Sequence, residues 1–246
     1  MKNKEKWKPS KYVFKKENLI ASRDKKQVRI SSRLYADIIA DNYFQYLPKY
    51  AHGKLLDLGC GYVPLFFVYN KYVSDIVCVD WENTSHKNEY LDFTCNLNKE
   101  LPFGNNEFDT IILSDVLEHI QNPKLLWKEM ARILKKDGIL VMNVPFYYCL
   151  HEAPYDYYRY TEFALKQYIE EEKLELVFLE SVGGILEVLA DINSKMFAYF
   201  GFIGELMANI IQQSTKLLRK TKIGINIYNK TKNKFPLSYF VIARKN

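Results

Sequence analysis

Residues 54–64, Lys-Leu-Leu-Asp-Leu-Gly-Cys-Gly-Tyr-Val-Pro, constrain the fold more than any other stretch of this chain. Leu55, Leu56 and Leu58 make a short apolar run of the kind buried in a parallel sheet. Gly59 and Gly61 supply a turn that takes unusual φ/ψ values and lets a ligand approach the backbone. Pro64 suits the first turn of a following helix. Asp57 stands two residues before the first glycine, where a carboxylate suits a cationic ligand group and repels phosphates. The third glycine of the nicotinamide-dinucleotide fingerprint is missing, because Pro64 occupies its place.

The rest of the chain repeats the strand-then-helix theme. From Ser31, Leu34, Tyr35, Ile38, Ile39, Tyr43 and Leu47 keep helical spacing, with Ser31 or Ser32 as cap and Pro48 as terminator. Residues 76–79 form a second buried strand ending at Asp80, where one carboxylate can accept from both hydroxyls of a ribose. Trp81 follows and can cover an adenine face. Residues 82–88 read as polar loop, and Tyr90 and Leu91 as a short third strand. Residues 110–113 form a fourth strand, ending at Ser114 and Asp115. Asn122 and Pro123 start a helix that Lys135, Lys136 and Gly138 close. Strands follow at 139–144, 174–179 and 238–243, with a helix from Thr161 to about Glu171. This alternation predicts βαβ units, hence a seven-stranded, mostly parallel α/β sheet with helices on both faces.

The order of motifs resembles that of class I S-adenosylmethionine (SAM) methyltransferases, type 11. The resemblance rests on Asp57-x-Gly59-x-Gly61, Asp80, the run from Asn96 and Leu97 through Leu101-Pro102-Phe103 to Phe108-Asp109, and Leu117-Glu118-His119. It covers about residues 31–180 and the last strand, and implies a Rossmann-like fold and SAM as cofactor. The implied cofactor-binding residues are Asp57, Gly59, Cys60, Gly61, Asp80, Trp81, Asn96, Leu97 and Ser114. Asn96 departs from the aspartate usual there; its amide oxygen can still accept from an adenine amino group, and Asp92 is the alternative. The ammonium and sulfonium of SAM explain an acidic turn.

Two constellations point to chemistry. Asp115, Glu118 and His119 share a face if helical; a metal set, a general base in His119 and an orienting network all stay open, and no metal is assigned. The second follows the fifth strand, where polar and aromatic residues from Phe146 to Thr161 lack apolar periodicity. His119, His151, Asp156 and Arg159 are the candidate catalytic residues: His151 as base, Asp156 and Arg159 holding a polar acceptor or each other. The run from His151 to Thr161 is similar to one in bacterial type 11 proteins, which implies a small polar or glycan-like acceptor. Arg33 is a candidate for the methionine carboxylate of SAM.

Residues 1–33 hold 12 Lys and Arg against 3 acids, and residues 216–234 hold 7 against none. The formal net charge of +6 therefore leaves the body acidic. Residues 1–30 are expected as a basic arm that folds over the ligand, and residues 31–246 as the methyltransferase domain. Residues 181–237, too long for a hairpin loop, form a helical insertion before the last strand. Within it, 202–222 reads either as a small cap over the substrate mouth or as an amphipathic, basic helix in peripheral contact with a membrane. No run reaches the ~20 apolar residues of a spanning helix, no signal peptide is evident, and Cys60, Cys78, Cys95 and Cys149 lack metal or disulfide spacing. These features lead to the expectation of a cytoplasmic enzyme with buried thiols. A non-catalytic SAM-binding module on an anionic membrane or partner, and an RNA methyltransferase, are the rivals; no nucleic-acid partner is expected, because the body is acidic and no RNA-binding module is recognisable.

Overall fold

The computed structural model describes residues 1–82 and 89–246; the polar loop expected at 82–88 lies almost wholly outside them. The chain opens with a hairpin, β1 (Tyr12–Lys15) and β2 (Asn18–Ala21), then α1 (Arg33–Tyr50). There follow β3 (Lys54–Leu58), the single-turn α2 (Phe66–Tyr69), β4 (Asp75–Asp80), β5 (Phe93–Thr94) and β6 (Phe108–Ser114). Next come α3 (Pro123–Ile133), β7 (Leu134–Pro145), α4 (Glu162–Glu171) and β8 (Leu174–Val182). Three helices, α5 (Ile185–Phe197), α6 (Gly201–Leu218) and α7 (Lys222–Thr231), precede β9 (Ser238–Lys245).

The seven-stranded sheet runs β5-β4-β3-β6-β7-β9-β8, with only β9 antiparallel to its neighbours. Alternation along each strand explains the two layers. Leu55, Ile112, Val141 and Phe240 face one core with α1, while Leu56, Leu113, Met142 and Val241 face the other with α3 and α4. Strand order reverses beside β3, so the ligand crevice belongs at the carboxyl ends of β3, β4 and β6. The glycine turn sits there.

Local departures have physical causes. α1 continues through Pro48 to Tyr50, and its first turn is capped by Gln212 Oε1, which accepts from Leu34 N–H (3.0 Å), with no side-chain bond from Ser32. α3 stops at Ile133, because Leu134 is already paired with Phe108; Lys135, Lys136 and Gly138 belong to β7. The third sheet strand is Phe93–Thr94, not Tyr90 and Leu91. Pro64 lies ahead of α2 in irregular turns, with Val63 at φ 52°. Cys60, Cys78 and Cys95 are buried, but Cys149 is exposed.

The large apolar residues of α6 face outward. Gly204, Ala208 and Gln212 are its buried positions, and Phe202, Ile203 and Leu217 are 82, 73 and 69% exposed. Small residues at this spacing let α5 approach closely: a Cβ on Gly204 would lie 1.9 Å from the Phe197 carbonyl oxygen. Among the described residues, no helix is long and apolar enough to cross a membrane.

Candidate functional site

β3 delivers Asp57 and then the turn. Gly59 (φ 68°) and Gly61 (φ 52°) take the left-handed conformation, and a Cβ on Gly59 would meet Val116 at 2.5 Å. The N–H groups of Gly59 and Cys60 donate to the Val79 carbonyl oxygen, and that of Gly61 donates to Asp80 Oδ2 (2.9 Å). These donors are spent on β4, which suits an acidic site better than a phosphate cradle. Asp80 also accepts from Trp81 N–H (2.7 Å), so its carboxylate is held at the strand end. Asp57 is buried and accepts from the Tyr69 hydroxyl (3.0 Å). Burial, reinforced by the nearby Asp80 charge and opposed by Tyr69, pushes its pKa up to about 7.

Two carboxylates flanking a turn with few free N–H groups fit a ligand that is cationic and rich in hydroxyls. SAM is such a ligand. Asp57 and Asp80, with Gly59, Cys60, Gly61, Trp81 and Ser114, gather at the ends of β3, β4 and β6. Asn96 and Leu97 follow β5; Asn96 Oδ1 accepts from Asn98 N–H (3.0 Å), and Leu97 is buried. Asp92 Oδ2 accepts from Cys78 N–H (2.7 Å). Trp81 packs edge-on against Tyr155 at 4.9 Å and thereby ties the end of β4 to the loop after β7.

Beyond β6 the chain does not continue as a helix. Asp115 takes φ 54°, and only Leu117–His119 coil, as a 3-10 turn. Asp115 is thereby separated from Glu118 and His119. Its carboxylate accepts from Tyr35 Oη (3.0 Å), Asn143 Nδ2 and Lys11 Nζ (2.9 Å). Burial opposes its ionisation, but Lys11 and these hydrogen bonds outweigh burial and hold its pKa below the usual carboxylate range. Lys11, Tyr35 and Asn143 carry no local sequence signal for this role: Lys11 is 104 residues from Asp115. Arg33 donates to the Arg23 carbonyl oxygen and lies near Asp37 and Glu205.

Glu118 turns inward and is fully buried. Its Oε1 lies 3.7 Å from His119 Nε2 and 3.7 Å from His151 Nε2, and among the described residues neither carboxylate oxygen has a partner within hydrogen-bond distance. Burial raises its pKa. His119 Nδ1 donates to the Tyr155 carbonyl oxygen (2.8 Å). Burial works against the charged His151, but Glu118 and Asp156 outweigh it and raise its pKa. Asp156 and Arg159 hold each other, with Nη2 to Oδ2 at 2.7 Å, and Asp156 also accepts from His151 N–H (2.9 Å). Burial is overcome by the guanidinium, so Asp156 falls to about 2. The pair braces the loop, since Arg159 also donates to the carbonyl oxygens of Tyr148 and Cys149. Beside it, Phe146, Tyr147, Tyr148 and Cys149 line a cleft of about 280 Å³ with Asp191, Ile192 and Lys195 of α5.

Residues 56–142 match the type 11 family described as "Methyltransferase domain". A segment is 37% identical over 46 residues to the uncharacterized protein MJ1123 of Methanocaldococcus jannaschii, covering 19% of this chain and 22% of that protein. Among solved structures, a SAM-dependent methyltransferase from Archaeoglobus fulgidus superposes with a TM-score of 0.54 at 15% identity, covering 88% of this chain and 93% of that one. The [4+2]-cyclase SpnF superposes with a TM-score of 0.53 at 17% identity, covering 85 and 82%. The domain match falls on the strands and turns around the glycine loop: residues 56–142 carry a methyltransferase domain of the type 11 family, and the wider chain shares the fold of the class I SAM-dependent methyltransferases.

Proposed function

We propose that the protein transfers the SAM methyl group to a small polar or glycan-like acceptor held by the loop 146–160 and α5. The observation carrying this reading is the cleft beside that loop, where aromatic rings meet a paired carboxylate and ammonium. Lys195 pairs with Asp191, and its Nζ lies 3.4 Å from the centre of the Tyr148 ring. Aromatic faces with a few fixed polar groups suit a polyol or sugar. The methyl group moves by in-line displacement: an acceptor lone pair forms the new bond as the carbon–sulfur bond breaks, leaving the thioether. Sulfonium is a good leaving group, so the chain's work is alignment and exclusion of water. An acceptor hydroxyl also needs a base, and His151 is the candidate. Because a cyclase has the same fold, the fold alone does not select this reaction.

In this reading Asp80 holds the ribose. Asp80→Ala is expected to weaken S-adenosylhomocysteine binding by about 10–100-fold, the worth of a hydrogen bond to a charged group. Calorimetric titration of the variant and of Asp80→Asn tests it, and unchanged affinity in both refutes the assignment. Transfer of labelled methyl from SAM into pools of small polar metabolites and glycans, fractionated by size and charge, tests the acceptor class; label found only in RNA or protein refutes it.

The outward face of α6 supports a second element, peripheral membrane contact through residues 202–222. Phe202, Ile203, Leu206 and Ile210 are all at least half exposed, with Lys220 and Lys222 exposed at the helix end. The basic contribution is smaller than composition implies, because Lys216 is paired with Asp37 (2.7 Å) and Arg219 with Glu187 (2.8 Å). Apolar insertion should therefore dominate. Sedimentation with anionic liposomes is expected to persist at high salt and to be lost in Phe202→Ser/Ile203→Ser, which removes no buried side chain. Binding that vanishes with salt, or survives the double substitution, counts against this element.

A further inference from the structure

We propose that Glu118, His119 and His151 form a binding site for a divalent first-row transition-metal ion. Their ligand atoms all lie within 4.8 Å of one another, from two chain segments that converge only in the fold. A tetrahedral ion with bonds of about 2.0–2.1 Å needs its ligand atoms ~3.3 Å apart. Each imidazole Nε2 is already 3.7 Å from Glu118 Oε1, so small side-chain rotations close the set.

Three further observations point the same way. First, Glu118 is fully buried, and among the described residues both its carboxylate oxygens lack a partner within hydrogen-bond distance. A buried carboxylate in that state calls for a counter-charge. Second, the tautomers are set for ligation. His119 Nδ1 faces the Tyr155 carbonyl oxygen at 2.8 Å, which can only accept, so Nδ1 carries the proton and Nε2 presents its lone pair. His151 Nδ1 lies 3.3 Å from the Cys149 carbonyl oxygen and 3.2 Å from Asp156 Oδ2, with the same consequence when the ring is neutral. Third, Asp156 is itself clamped by Arg159, which gives His151 the carboxylate support typical of metal-bound imidazoles. Asp115, by contrast, is turned away to Lys11, Tyr35 and Asn143 and takes no part.

Two imidazoles and one carboxylate favour Zn²⁺, Mn²⁺, Fe²⁺ or Co²⁺ over Mg²⁺ and Ca²⁺, which prefer oxygen-rich sets. Three protein ligands leave positions for water or an oxygen of a second molecule. Ion binding stands on these side chains alone; an ion on Nε2 removes His151 as a base and leaves that role to ion-bound water, and only the placement beside a methyl acceptor rests on the function proposed above.

The full chain, freed of metal with a chelator, is titrated separately with Zn²⁺, Mn²⁺, Co²⁺ and Mg²⁺, by calorimetry and, for Co²⁺, by its visible spectrum. One equivalent of at least one transition ion is expected, with Mg²⁺ weaker. Glu118→Gln, His119→Ala and His151→Ala should each weaken binding more than about tenfold, and His52→Ala should not. S-adenosylhomocysteine titration of each variant reports whether the domain is folded. Should a variant unfold, the wild-type stoichiometry and the imidazole signature of the Co²⁺ spectrum still decide. Absence of saturable binding of all three transition ions overturns the proposal, as does binding untouched by the three substitutions. A chain that binds SAM but no ion refutes this site alone, whereas one that binds both and transfers no methyl refutes the function.

Discussion

At Asp57, burial and the proposed ligand pull one carboxylate in opposite directions. Burial behind the glycine turn brings its pKa to about 7, against about 3.9 in an unfolded chain. The native state holds a proton that the unfolded state has lost, so folding stability falls as pH rises from about 4 to about 7 and is level above. The integrated loss is of order 4 kcal/mol for a group this deeply buried. Urea unfolding at pH 5 and pH 8 should show the decline, and Asp57→Asn should flatten it; equal slopes in the two proteins would remove Asp57 as its source. A cationic ligand group prefers the ionised form. S-adenosylhomocysteine, which keeps the ammonium of SAM, should therefore bind more tightly as pH rises through 7 and plateau above, with a flatter profile in Asp57→Asn. On the proposed function, the cost to folding is placed where the cofactor's charge can offset it.

The β1–β2 hairpin shows how an element far from the sheet is recruited to its edge. Lys11, just before β1, meets Asp115 beyond β6, and Trp7 Nε1 donates to the Val63 carbonyl oxygen (3.0 Å) beside the glycine turn. The Lys11 side chain is 36% exposed, so solvent screens part of its attraction. Lys11→Met should cost about 1–2 kcal/mol, a fall in Tm of roughly 3–6 °C, and should raise protease sensitivity within 1–22 before the sheet unfolds. A Tm within 1 °C of wild type, with unchanged proteolysis (shifts expected from 1–2 kcal/mol being larger), would show that the contact anchors nothing. Such pairings explain where the sequence was legible. β3, β4, β6 and β7 were readable as apolar runs, and α1, α3 and α4 from periodicity and from the Asn122 and Thr161 caps. β5 has two residues and no pattern, and α6 has its apolar side turned to solvent because Gly204 and Ala208 make the helix contact. In the site, the carboxylates at strand ends could be read from spacing. The convergence of His151 on Glu118 could not, because it depends on Asp115 breaking the helix and on the path of the loop 146–160.

On the scale of the molecule, the arm and the three-helix segment before β9 share one anchor, Asp37 of α1. Its carboxylate accepts from Ala21 N–H at the end of β2 (2.8 Å), from Arg23 (3.0 Å) and from Lys216 of α6 (2.7 Å). Lys25 pairs with Glu205, and Gln212 caps α1, so the arm, α1 and α6 meet along one seam. This seam is where segments outside the βαβ core are fixed to it, and the cleft lined by Lys195 depends on where α5, packed against α6, is held. Replacing Asp37 leaves Ala21 N–H without its acceptor and two cations without their counter-charge. Asp37→Ala should cost about 2–4 kcal/mol, since the carboxylate is buried although its partners are one-third or more exposed. That corresponds to a fall in Tm of roughly 5–15 °C. Hydrogen exchange distinguishes a shared seam from a local bond. Protection should drop together in β2, in the first turns of α1 and in α6, while β3, β6 and β7 keep theirs. Loss confined to β2 would make Asp37 an anchor for the hairpin only, and α6 would then owe its position to the Gly204 and Ala208 contact with α5.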